Sequence, residues 1–381
     1  MSRSIHRTAA RRSPGSPRLE RALVLPVLGA LLAAACASPA ASPTGAEPGS
    51  PAPPSVGPSE GTPSGSPVAG SGGSGALSHL TVGLGYIPSV QFAQFYLAQQ
   101  AGYYRDAGVD VAFENKIDPD LIVLVGQGAL DAGIADGTSV IPAVSQGIPI
   151  RYIATIYGTF PNIVFAKANS GITNAADLKG KRIGTPCKCG SSWIMLQALL
   201  HSAGLSTGDV QVVEYPDFSQ EAAVARGAVD AATGYANNEP LQLQSQGQPV
   251  TVLHVDQSVP LPGPGLIAST ATIAAKGPAL KAFVAATLRA MREIAANPQS
   301  GFDAAVKVVP ELASQRALQM AILQATIATW RSPYGAAHGL GAIDPAAWQA
   351  SLTFMSSLPE HLVARPLTVD QLIDPSLLPA S

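Results

Sequence analysis

The 381-residue chain holds only three cysteines, two of them a residue apart at Cys187 and Cys189. It has no His-x3-His pair and no second cysteine pair, and His79, His201, His254, His338 and His361 are scattered, so neither a metal site nor a cofactor is expected. The folded part lacks a Gly-x-Ser-x-Gly elbow and a Gly-x4-Gly-Lys phosphate loop, and no base stands at a fixed spacing from a cysteine. No catalytic residue is therefore expected, and the chain is read as a non-enzyme. Basic clusters are also missing. Residues 1–35 carry six arginines and one glutamate, so the 23 basic and 25 acidic residues of the whole chain become 17 against 24 without them. A mildly acidic remainder argues against a nucleic-acid partner. Beyond one apolar run near the N-terminus, no segment approaches the length of about 18 apolar residues at which a membrane span is considered.

That run, Ala22 to Ala35, follows an arginine-rich start and ends in Ala33-Ala34-Ala35-Cys36. At 14 residues it is short of the roughly 20 a spanning helix needs, and it reads as an export signal over residues 1–35. The small residues before Cys36 resemble a bacterial lipoprotein box, with Ala33 where leucine is usual. On that reading Cys36 becomes the lipidated first residue and anchors the protein to the membrane; ordinary cleavage after Ala35 is the other reading. Residues 36–77 are almost wholly Pro, Gly, Ser, Ala and Thr, with Glu47 and Glu60 their only charges. Without apolar surface to offset ordering entropy they are expected to form a disordered tether.

From Ser78 onward, short apolar strands alternate with helical patterns. Leu80–Leu84 is a strand and Val90–Ala101 a helix; Val109–Phe113, Gly133–Ala135 and Ile150–Tyr157 are further strands separated by helical stretches. This alternation predicts a parallel sheet with helical crossovers. After Ile163–Ala166 the pattern restarts. Arg182–Gly184 is a strand that passes through Thr185-Pro186-Cys187-Lys188-Cys189-Gly190 into an apolar helix, with Ser191 and Ser192 at the preferred capping positions. Val210–Tyr215, Ala231–Tyr235 and Thr251–Val255 continue that second set. Helices are then expected at Pro278–Asn297, Gly301–Val308, Ala313–Trp330, Pro345–Leu358 and Thr368–Ile373. The fold class is α/β with two lobes: residues 78–165 and 262–381 form the first, with C-terminal helices, and residues 166–261 the second. The chain crosses between them near 165–169 and 255–265.

Five segments, in order, carry a family resemblance: Val82–Phe92, Leu97–Tyr104, Gly133–Ala135, Ala175–Gly184 and Tyr235–Pro240. They are similar to the solute-binding proteins of ABC importers that handle sulfonates, nitrate, thiamine-pyrimidine precursors and riboflavin. The resemblance spans about residues 80–375. It implies the type II periplasmic-binding-protein fold, each lobe a mostly parallel sheet with flanking helices. It also implies capture of a small molecule on the extracytoplasmic side, ABC permease subunits as partners and a monomeric state. Within the group, Tyr86–Phe92 and Tyr235–Glu239 most resemble binders of riboflavin or the thiamine pyrimidine precursor, a flat heterocycle. A sulfonate, nitrate or other small anion is the alternative ligand. Cys187-Lys188-Cys189 falls where fungal pyrimidine-precursor synthases have a cysteine-rich motif, but it has two cysteines only and no aromatic between them, so enzymatic function is not carried across.

In open α/β lobes ligands sit beyond the carboxyl ends of the strands. By that rule Tyr86, Gln91 and Phe92 follow the first strand, an aromatic and an amide suited to a ring face and a ring edge, with helix core the competing role for Phe92. Asp136 and Thr138 follow the strand at 133–135, where helix capping competes with ligand contact. Tyr157 ends the next strand and, with Phe160, is a candidate wall. In the second lobe the turn brings Cys187, Gly190, Ser191 and Ser192 to the cleft, the free backbone amides of a helix start more than the thiols. The two cysteines are open to three readings: small buried side chains lining the cleft as thiols, a tight disulfide between neighbours, or metal binding, for which further ligands are lacking. Tyr235, Asn237 and Glu239 end the strand at 231–235. A carboxylate at Glu239 would accept two N–H groups from a heterocycle edge and repel an anion.

Overall fold

Alternation dictates the first strand: in β1 (Ser78–Leu84) Leu80, Val82 and Leu84 are buried while Ser78 and His79 face water. The computed structural model describes residues 76–379 apart from 117 and 258; the expected export signal, Cys36 and the tether up to residue 75 lie outside them. Nine further strands follow: β2 (Val109–Asn115), β3 (Ala132–Asp136), β4 (Ile150–Thr155), β5 (Asn162–Lys167), β6 (Arg182–Thr185), β7 (Gln211–Glu214), β8 (Ala231–Tyr235), β9 (Val250–His254) and β10 (Pro264–Ser269). They form two five-stranded sheets of matching order, β2-β1-β3-β10-β4 and β7-β6-β8-β5-β9.

Each sheet has four strands running one way and one reversed strand, fourth in the order. In the first sheet β10 is antiparallel to β3 and β4. In the second β5 is antiparallel to β8 and β9. The sheets are thus mixed, because β5 and β10 are the strands by which the chain enters and leaves the second sheet. The first crossing lies between Thr155 and Asn162, ahead of the position near 165–169 expected from sequence, since all of β5 pairs in the second sheet. The return runs between His254 and Pro264.

Each sheet is sandwiched by helices that bury its faces. Phe283, Leu288, Met291 and Ile294, the stripe picked out by spacing, lie fully buried beneath the first sheet, where the Phe283 ring stacks on Phe95 and Tyr104. Their helix starts at Thr270, eight residues before the expected Pro278, capped by Ser269, whose hydroxyl accepts the Thr272 N–H. It kinks at Lys276 because Pro278 supplies no N–H and its ring crowds the preceding turn. A second apolar cluster joins Leu121, Val125 and Ile141 of the first half to Ile183, Leu196 and Leu200 of the second, so the two lobes share a packed side. Near the C-terminus a helix expected at Thr368–Ile373 is only a 3-10 turn at Val369–Gln371. The residues after it hydrogen-bond to Tyr152 and cover the β4 edge. Among the described residues no helix is long and apolar enough to cross a membrane.

Candidate functional site

Matching strand order in the two sheets aims the carboxyl ends of β1, β3, β6, β7 and β8 at one cavity. It has about 1100 Å³ of empty space, open mouth included. Residues from both sheets line it. Of those singled out in the sequence, Tyr86, Gln91, Phe92, Asp136, Tyr157, Cys187, Gly190, Ser191, Ser192, Tyr235 and Glu239 are on its wall. Thr138 and Asn237 are not. Thr138 is fully buried in the first turn of the helix Gly137–Ser145. Asn237 is drawn inward, its Nδ2 donating to Gln91 Oε1 at 3.0 Å and Thr326 Oγ1 at 2.8 Å, and the neighbouring Asn238 faces the cavity instead. Phe160 is buried in the apolar cluster shared by the lobes and forms no wall.

Five aromatic rings surround the space: Tyr86, Phe92, Tyr157, Phe218 and Tyr235. The chain has nine phenylalanines, nine tyrosines and three tryptophans, so nearly a quarter of its aromatics converge here. Phe92 lines the cavity and also packs on Phe95. Phe218 was not anticipated. It sits in the turn after β7 with φ +59°, a left-handed conformation that bulky residues rarely adopt, and its ring meets Tyr86 edge-on at 4.9 Å across the cleft. The carboxyl-end rule applied to β7 would have pointed to the Pro216–Gln220 turn.

Among the described residues the carboxyl groups on the wall are those of Asp136 and Glu239, and no lining residue carries a positive charge. Asp136 does not cap the helix it precedes. Its carboxylate instead accepts the Tyr235 hydroxyl at 2.8 and 3.0 Å and the Asn162 amide at 3.3 Å. Both donors belong to the second half, so one first-sheet carboxylate ties the two sheets together over the cavity floor. Burial pushes its pKa up, against the lowering effect of the neighbouring Ser191, Tyr235 and Asn162 side chains.

Glu239 begins the helix Glu239–Ser245 and folds back, so that Oε2 accepts the Tyr235 N–H at 2.8 Å. One of its acceptor sites is therefore committed to the protein, and Oε1 carries the rest of its acceptor capacity. Burial raises its pKa from 4.5 to about 7, against the lowering effect of the Tyr235 N–H, while nearby Glu221 adds to the rise. Glycine at 234 is what admits this arrangement, since a Cβ there would stand 2.9 Å from the Glu239 carboxyl and 2.8 Å from Phe165.

Beyond β6, Cys187 and Cys189 are joined as a disulfide. Of the three readings open in the sequence, the bridge is the one formed, and both cysteines line the cavity. Cys189, not Ser191 or Ser192, is the residue ahead of the helix Gly190–Ser202, and no side chain caps it. Gly190 opens the helix at φ +62°, a left-handed conformation that glycine adopts without strain. Among the described residues no group of three or more His, Cys, Asp or Glu gathers to hold a metal.

Comparison with known proteins places these features in context. Residues 89–301 match the family model described as NMT1/THI5 like. The chain is 35% identical over 308 residues to the riboflavin-binding protein RibY of Chloroflexus aurantiacus, covering 80% of this chain and 87% of that one. It is 29% identical to a 4-amino-5-hydroxymethyl-2-methylpyrimidine phosphate synthase of Aspergillus parasiticus over 57% of this chain and 67% of the relative. Among solved structures it superposes on the alkanesulfonate-binding protein SsuA of Xanthomonas axonopodis with a TM-score of 0.61, at 19% identity, over 80% of this chain and 99% of the other. That likeness supports the two-lobed α/β binding-protein fold expected from the sequence.

Proposed function

Since the chain belongs to the NMT1/THI5-like family, we propose that it is the extracytoplasmic solute-binding component of an ABC importer and that its ligand is a flat heterocycle, riboflavin first. The observation that carries this reading is the cavity wall: five aromatic rings, two carboxyls and no cation. Rings offer stacking surface to a planar aromatic, and the buried acids disfavour a sulfonate or nitrate, whose charge they would repel. The ligand contacts both sheets, so binding favours the closed arrangement, which the permease subunits recognise. The protein acts as a monomer. A thiamine pyrimidine precursor is the second ligand considered, being smaller but equally flat.

Titration of the purified protein with riboflavin is expected to quench flavin fluorescence at one equivalent, with Kd below about 1 µM. Tyr86→Leu and Phe218→Leu should each weaken binding by about tenfold, the scale of a lost aromatic pair. The same titration with an aminopyrimidine, taurine and nitrate separates the ligand classes. Tight binding of an anion without any flavin quenching would overturn the proposal. Conversion of a bound pyrimidine into product would favour the enzyme reading that the synthase relatives raise.

Attachment is proposed through Cys36, with the Pro/Gly/Ser tether letting the binding lobes reach the permease. Cys36→Ser is expected to move the protein from the membrane to the soluble extracytoplasmic fraction. A variant that stays with the membrane would remove the lipid anchor from the model.

A further inference from the structure

One polar group on the cavity wall is left unused by everything described above. Gln220 opens the helix Gln220–Ala225, is 2% exposed and lines the cavity. Its Nε2 donates to the Thr233 carbonyl at 3.5 Å, whereas its Oε1 is buried with no hydrogen-bond partner. Buried acceptors without partners are rare in folded proteins and carry the desolvation penalty in full. The amide cannot relieve this by flipping, because Oε1 would then oppose the Thr233 carbonyl oxygen. Its orientation is thus set by the protein, with the acceptor unanswered.

The surroundings hold the side chain in place. Gly184 of β6 lies beneath it, where a Cβ would stand 3.2 Å from Gln220 Cβ, so glycine lets the strand pass without displacing the side chain. In the preceding turn Asp217 Oδ1 accepts both the N–H and the hydroxyl of Ser219, at 3.2 and 2.7 Å. That turn presents the Phe218 ring and the Gln220 amide to the same space, one for a ring face and one for a ring edge.

We propose that Gln220 is the specificity-determining residue of the site, its Oε1 accepting a hydrogen bond from an unsubstituted ring N–H of the ligand. The inference rests on the flavin reading and sharpens it, because the oxidised isoalloxazine ring carries a single ring N–H, at the imide N3 between two carbonyls. A carboxylate at this position would not serve in the same way: only the amide can both donate to Thr233 and accept from the ring.

The test compares lumiflavin with 3-methyllumiflavin, which lacks the ring N–H, by fluorescence titration of the wild-type protein and of Gln220→Met. Wild-type protein should bind lumiflavin about tenfold tighter than the methylated ring, and Gln220→Met should bring the two within about twofold, chiefly by weakening lumiflavin. A wild-type protein that binds both equally overturns the assignment, as does a Gln220→Met variant that keeps the wild-type ratio, since the methyl group would then be sensed elsewhere. Gln220→Asn, one methylene short, must show the same loss and serves if the methionine variant melts early. Failure of wild-type protein to bind any flavin would overturn the flavin reading and this inference with it; binding without discrimination overturns this inference alone.

Discussion

Asp136→Ala is expected to destabilise the protein by about 3 kcal/mol and to lower its melting temperature by roughly 5–10 °C. The Tyr235 hydroxyl and the Asn162 amide both spend a hydrogen bond on this one carboxylate. Removing it leaves two donors over the cavity floor without their acceptor. Those donors both lie in the second half of the chain, so the same change should loosen the closed arrangement and weaken riboflavin by tenfold or more. Asp136→Asn separates charge from connectivity. Its new N–H would face donors, but Asn162 Oδ1 is buried without a partner and a flip of the Asn162 amide would receive it. The asparagine variant should therefore lose only about 1 kcal/mol. Thermal melts of both variants decide the matter, and an alanine variant as stable as wild type would show that the sheets are held together by packing alone.

Glu239→Gln is expected to make the protein more stable at alkaline pH and to leave it unchanged in acid. The folded-state pKa of Glu239 is raised from 4.5 to about 7 by burial. Between those values the unfolded chain has released the proton that the folded chain still holds, so stability falls as pH rises across the window. At about 1.4 kcal/mol per pH unit the loss is about 3 kcal/mol, complete once pH passes the folded pKa. Glutamine mimics the protonated acid and can still accept the Tyr235 N–H. Chemical denaturation of the two proteins near pH 4 should give equal stabilities, and near pH 8 the variant should lead by about 3 kcal/mol. Parallel curves across the range would mean that the carboxylate is solvated and that its place in the cavity is wrongly drawn.

Much of the site was legible because it follows a local rule. Tyr86, Phe92, Asp136, Tyr157, Tyr235 and Glu239 stand just past strands whose apolar alternation marks them, and every one reaches the cavity. The misses are of a different kind. Asn237 and Asn238 are the same residue type side by side, and nothing local says which turns inward. Gln91 and Thr326, 146 and 89 residues away, draw Asn237 in. Gln220 looked like an ordinary helix start until Gly184 and Thr233 were brought against it. Phe218 was passed over because its turn holds no strand or helix signal.

By itself, the chain's pattern determined the two α/β lobes, the family and the aromatic character of the cleft, since strand alternation, helix spacing and the turn after each strand are set by neighbours within a few residues. The tertiary structure alone decided which carboxyl ties the sheets together, which cysteine reading holds and which buried acceptor on the cavity wall is left without a partner. Asp136 and Tyr235 are 99 residues apart in sequence and 2.8 Å apart in space. Which donor reaches which acceptor across such a span depends on how two sheets dock, and docking is a property of the whole packed chain.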